Sequence, residues 1–114
     1  HLAVIQNALL GVTTKAIGTA VHRFYGLGIP VAGKTGTAEA GGPGAEPHSW
    51  FTAYAPADNP EIAIAAIIEN AGEGSTVAAP LVRQVIEAYY GLALSPLPPQ
   101  AEEGYVPPTP TPAP

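Results

Sequence analysis

No cysteine occurs among the 114 residues, so neither a disulfide framework nor a thiolate-held metal can exist, and the redox compartment is left open. Cations are scarce as well. Four Lys and Arg stand against nine Asp and Glu, a net charge of −5, and no two of those cations form a basic cluster. Partners that bind through positive charge, nucleic acid and anionic membrane surfaces, are therefore excluded. No uncharged apolar run reaches about 18 residues and no signal-peptide pattern is present, so this segment neither spans a bilayer nor directs its own export. With no initiator methionine and an opening that reads as helix interior, the chain is expected to continue upstream. His1 and His22 are isolated from other ligand types, so no metal is expected and no cofactor is implied. Neither Gly-x-Ser-x-Gly nor Ser-x-x-Lys occurs, and no activated nucleophile can be named.

What is present reads as an α+β chain. Leu2, Ile5, Ala8, Leu9 and Val12 recur at helical spacing and predict a helix with one buried face, ending near Gly11. Residues 13–28 read as a connection. Ile29 to Thr37 is a strand with an edge-like start, because Pro30 lacks a ladder donor. A glycine-rich hairpin loop, 39–47, leads to a second strand, Ser49 to Ala55, carrying Trp50, Phe51 and Tyr54. Turn chemistry at Pro56 to Pro60 precedes Ile62 to Ile68, which is apolar at every position and predicts an inner strand packed on both faces. Short loops between the strands make an antiparallel meander. A final helix is expected from an N-cap at Ser75 or Thr76, with Ala78, Leu81, Val82, Val85, Ile86 and Tyr89 on its buried stripe and Gly91 as its stop. Residues 1–94 form the globular part. Residues 95–114, with eight prolines, form a disordered or polyproline-like tail.

Lys34-Thr35-Gly36-Thr37 is the chemical focus of the chain. A lone cation, two hydroxyls and a position without a side chain, consecutive on a strand, suit a carboxylate and an oxyanion. Strand side chains alternate between faces, so Lys34 and Thr35 can serve one ligand only if it lies along the strand's edge, as an added strand. Gly36 permits its close approach.

The same residues offer a rival, since Gly28 to Thr35 matches the P-loop pattern G-x-x-x-x-G-K-S/T. Physical chemistry opposes it. Pro30 removes an amide that phosphate would need, Ile29 and Val31 favour extended backbone, and the glycines after Thr35 start no helix. His48 is read as a solvated residue at a strand entrance rather than a general base, and Glu39 and Glu46 as surface charge.

Beyond the triplet, Val31 to Glu39, Pro47 to Pro56, Asn59 to Ala63, Ile68-Glu69-Asn70 and Ala78 to Val82, with Gly18-Thr19-Ala20 upstream, resemble the end of a penicillin-binding protein transpeptidase domain. The likeness covers roughly residues 1–92 and is nearest to the elongation-type class B enzymes, the penicillin-binding protein 2 type. It implies a partial penicilloyl-serine transferase fold, an antiparallel sheet with helices on both faces. It further implies peptidoglycan D,D-transpeptidation, with a stem peptide or a β-lactam as ligand. By the resemblance Lys34 steers the terminal carboxylate and bonds the serine of an absent motif, Thr35 and Thr37 donate hydroxyls beside Gly36, and the Thr37 amide is one oxyanion donor. Other implied partners are the remainder of the domain and, through the full-length protein, a membrane glycan polymerase. The implied location is the outer side of the bacterial cell membrane, with an anchor upstream. Lacking nucleophilic motifs, the chain alone is expected to be inactive.

Overall fold

A computed structural model describes residues 1–39 and 41–98. Helix α1 spans Leu2–Thr14 and a short α2 spans Val21–Phe24; strands β1 (Ala32–Ala38), β2 (His48–Ala55) and β3 (Ile62–Ile68) follow, and α3 (Ala78–Tyr89) closes the series. The strands form one antiparallel sheet in the order β1-β2-β3.

The sheet has one closed face. Phe51, Ala53 and Ala55 of β2 are buried against Val82 and Ile86 of α3, with Ile62, Ile64, Ala66 and Ile68 of β3 alongside. Phe24 of α2 stacks on Phe51 at a centroid distance of 5.4 Å, so the segment read as a mere connection contributes a ring to the core. Gly33 lies beneath that ring, where a Cβ would sit 2.9 Å from Phe51 Cε1.

Helix α3 differs from its sequence reading at its start. Neither Ser75 nor Thr76 caps it; Val77 holds the N-cap position without a side-chain bond. The cap comes from another element, because Ser49 Oγ on β2 accepts the Ala78 amide at 3.1 Å and donates to the Glu73 carbonyl at 3.0 Å. A hydroxyl from the sheet thus satisfies a helix donor that would otherwise be orphaned. The buried stripe is also rotated: Ala78, Ala79, Val82 and Ile86 face inward, whereas Val85 and Tyr89 are exposed. At the other end Gly91 acts as the expected stop. Its positive φ of 68° allows Gly91 N–H to reach Ala88 O and Leu92 N–H to reach Glu87 O, the paired bonds of a Schellman turn.

Glu87 lies on the inward side of α3 and is satisfied rather than stranded. Arg83 pairs with it at 3.3 Å, and Ser95 donates to it through its amide (2.9 Å) and hydroxyl (2.6 Å). Gln84 in turn donates to Ser95 O, so residues 92–95 are strapped along the helix. Burial pushes the Glu87 carboxyl up, but the Ser95 bonds and then Arg83 outweigh it and hold the group below its ordinary range. Residues 99–114, most of the proline-rich tail, lie outside the described residues.

Two expectations about the open face are corrected. The β3 strand is an edge strand among the described residues, not an inner one, and only alternate residues are half-buried; Ala63, Ala65 and Ile67 are exposed. On α1 the apolar stripe is only partly covered: Leu2 is 68% and Ile5 55% exposed, whereas Leu9 and Val12 are half-buried and Val12 packs against the core. Only the end of α1 is held, by Thr13 Oγ1 donating to the Val31 carbonyl. Gly11 lies within α1 rather than ending it, and the first strand begins at Ala32 rather than Ile29, since the Pro30 carbonyl turns to accept Ala57 N–H.

Candidate active site

Among the described residues strand β1 pairs with β2 alone, which leaves its other edge open. The register sets Lys34 opposite Thr52, Thr35 opposite Phe51, Gly36 opposite Trp50 and Thr37 opposite Ser49. Alternation therefore puts Lys34 and Gly36 on the open face, and Thr35 and Thr37 on the face that α3 covers. The cation and the hydroxyls converge only around the free edge, as the residue order requires.

Each of the three polar side chains has a distinct environment. Lys34 is exposed, and its Nζ donates to the Thr35 carbonyl at 2.8 Å; no carboxylate lies within ion-pair distance of it among the described residues. Thr35 Oγ1 lies 3.2 Å from Thr19 Oγ1. Thr37 Oγ1 accepts the Gly74 amide at 3.5 Å. Gly74 is buried so closely on the sheet that a Cβ there would meet Trp50 O at 2.2 Å and Gly36 O at 2.6 Å. The loop after β3 thus clamps the Gly36–Trp50 pair, and only glycine fits.

The segment Gly28 to Thr35 runs straight into β1, not into a helix. It lacks the helix N-terminus that a phosphate cradle needs. His48 braces a turn: its Nδ1 accepts the Asn70 amide at 3.0 Å, while Asn70 Nδ2 donates to Glu46 O. Being opposite Ala38, it stands four positions from Lys34 along the ladder, about 13 Å. Glu39 and Glu46 are exposed, and no group of three potential metal ligands exists among the described residues.

Thr19, Ser49 and Gly74 were not singled out as site supports by sequence reasoning. Each acts across a separation of 16 to 37 residues, so no local pattern could announce it. The only trace was compositional, in Gly18-Thr19-Ala20 and in the glycines flanking Glu73.

On the open face, Leu9, Ala32, Thr52, Tyr54, Ala63 and Ala65 help line a cleft of about 320 Å³. The Tyr54 hydroxyl is buried there without a hydrogen-bond partner among the described residues. Such a group costs stability until something satisfies it.

Residues 1–87 match the penicillin-binding protein transpeptidase domain family. The peptidoglycan D,D-transpeptidase MrdA of Haemophilus influenzae is 39% identical over 115 residues, covering 90% of this chain but 17% of that protein. The crystal structure of Pseudomonas aeruginosa PBP2 in complex with WCK 5153 superposes with a TM-score of 0.67 at 39% identity, over 74% of this chain and 18% of that one. Penicillin-binding protein A of Mycobacterium tuberculosis, solved as a ceftriaxone acyl-enzyme, gives 0.65 at 36% identity, over 75% and 20%. The chain therefore spans less than a quarter of the proteins it matches. Its sheet and helices are a part of the penicilloyl-serine transferase fold, and the chain belongs to the penicillin-binding protein transpeptidase family, of the penicillin-binding protein 2 type.

Proposed function

We propose that the chain supplies the carboxylate-binding strand of a peptidoglycan D,D-transpeptidase. The observation that carries this is the Lys34 ammonium, exposed on an edge strand with no carboxylate partner among the described residues. A donor stem peptide, or a β-lactam in its place, adds along β1 beside Gly36. Lys34 attracts its terminal carboxylate, Thr35 and Thr37 donate hydroxyl hydrogens, and the Thr37 amide is one donor to the oxyanion that forms at the attacked carbonyl. The nucleophilic serine and its activating lysine come from the remainder of the domain.

That remainder covers the open face. Trp50, Ile67 and the α1 residues Leu2, Val4 and Ile5 are exposed apolar groups, and the Tyr54 hydroxyl awaits a partner; together they form the seam on which the upstream part packs. Among the described residues no helix is long and apolar enough to cross a membrane. The anchor and any contact with a glycan polymerase belong to the full-length protein, on the outer side of the membrane where its substrate lies.

Labelled penicillin decides the proposal. Removing a nucleophile leaves an oxyanion site with little to stabilise, so the isolated chain should take up no covalent label while the full-length protein is labelled. In the full-length protein Lys34→Ala should lower the efficiency of acylation, the saturated rate over the half-saturation concentration, by roughly tenfold to a hundredfold, the scale of a hydrogen bond to a charged group. Labelling of the isolated chain, or an unchanged acylation efficiency in Lys34→Ala, would overturn it.

A further inference from the structure

Building on that reading, we infer that Thr19 is a positioning residue that sets the direction of the Thr35 hydroxyl toward the ligand carboxylate. The two hydroxyl oxygens lie 3.2 Å apart. Each hydroxyl has one proton and two lone pairs. When Thr35 gives its proton to a carboxylate oxygen, it can only accept from Thr19, so the chain runs from Thr19 O–H to Thr35 Oγ1, and from Thr35 O–H to the carboxylate. The orientation of one bond fixes the other, and the pair polarise in the same sense.

The backbone holds Thr19 for this. Gly18 presses on the end of α1, where a Cβ would meet the Gly11 and Val12 carbonyl oxygens at 2.4 Å. Ala20, on the other side, is fully buried and its amide donates to Val12 O at 3.0 Å. Thr19 itself is exposed between these two locked neighbours. An exposed hydroxyl pair exchanges with water at little net gain. Its worth therefore lies in direction rather than in stability. Thr37 lacks an equivalent donor of variable orientation, because its partner is the fixed Gly74 amide.

A contact with a carboxylate that does not itself react strengthens the ground and transition states alike, and its loss raises the half-saturation concentration without slowing the saturated rate. The test uses the full-length protein, acylated by a penicillin bearing its free carboxylate and, separately, by the methyl ester of the same penicillin. Thr19→Val should raise half-saturation for the free acid roughly three- to tenfold, the scale of one hydrogen bond, at an unchanged saturated rate. Thr19→Ser should restore it. With the ester, the Thr19→Val effect should fall to less than about twofold. Thr19→Ala, which adds no methyl near Thr35, is the second variant and should behave as Thr19→Val.

Equal effects on acid and ester, a loss confined to the saturated rate, or no effect in either variant would overturn the role of Thr19. Thr35→Val in the same assay separates the layers. If it weakens acid binding while the Thr19 variants do not, the inference about Thr19 fails and the carboxylate site stands; if it costs nothing, the carboxylate site fails and Thr19 falls with it.

Discussion

The two faces of the sheet are built from equally apolar residues and meet opposite fates. On one, α3 covers Phe51, Ala53 and Ala55, a sheet serine caps the helix, and the inward Glu87 carboxylate accepts three hydrogen bonds, one from Arg83 and two from Ser95. On the other, Trp50 and Ile67 stay exposed and the Tyr54 hydroxyl has no partner among the described residues. The closed face is a finished core. The open one lacks such a cover among the described residues, and on the proposed reading the remainder of the domain supplies it. Local sequence was sufficient to finish the first because β2, β3 and α3 are consecutive. The second has no such cover among the described residues.

The sharpest break of this comparison pairs one substitution from each face. Phe51→Ala removes a fully buried ring and should cost about 3–5 kcal/mol in the full-length protein by denaturant unfolding. In the isolated chain that loss should abolish cooperative unfolding, since so small a body has little stability to spare. Ile67→Ala in the isolated chain should change stability by no more than about 0.5 kcal/mol, as for an exposed position; in the full-length protein it should cost about 2 kcal/mol or more if the seam is packed there. Equal costs in the two proteins would mean that the open face stays open.

A smaller effect is expected from the tertiary cap. Ser49→Ala leaves the Ala78 amide without its acceptor and should lower stability by about 1–2 kcal/mol, with hydrogen exchange rising at Ala78 before the rest of α3. Persistence of that protection would show that the hydroxyl is dispensable.

The smallest concerns the strap. The Glu87 carboxyl is held below its ordinary 4.5, so its contribution is fully present above that value and is lost as pH falls through the lower folded value. Protection of the Ser95 amide should decline below pH 4.5, and in Glu87→Gln it should not follow pH in that range.

Much of the fold was legible. Ile62–Ile68 coincides with its sequence reading, β2 begins one residue early, and Gly91 ends α3 as a glycine in left-handed conformation should. Those features are local, set by β-branched runs and by backbone freedom. The misread ones depend on neighbours. An all-apolar β3 pointed to cover on both sides, but the meander gives it cover on one. The α1 stripe likewise marked a surface that buries something without revealing whether its partner was at hand. Ser75 and Thr76 had the chemistry of a cap, yet Ser49 was already at the helix end.

For the site, residue order alone determined a cation, two hydroxyls and a bare backbone position on consecutive strand residues, and strand periodicity then required that they meet at an edge. Tertiary structure decided that the edge is free among the described residues, that Lys34 is exposed, and that Thr35 and Thr37 are addressed by Thr19 and Gly74. The physical reason is reach: backbone preference acts over a few residues, whereas a hydroxyl 16 or 37 positions away finds its partner only after the chain has folded.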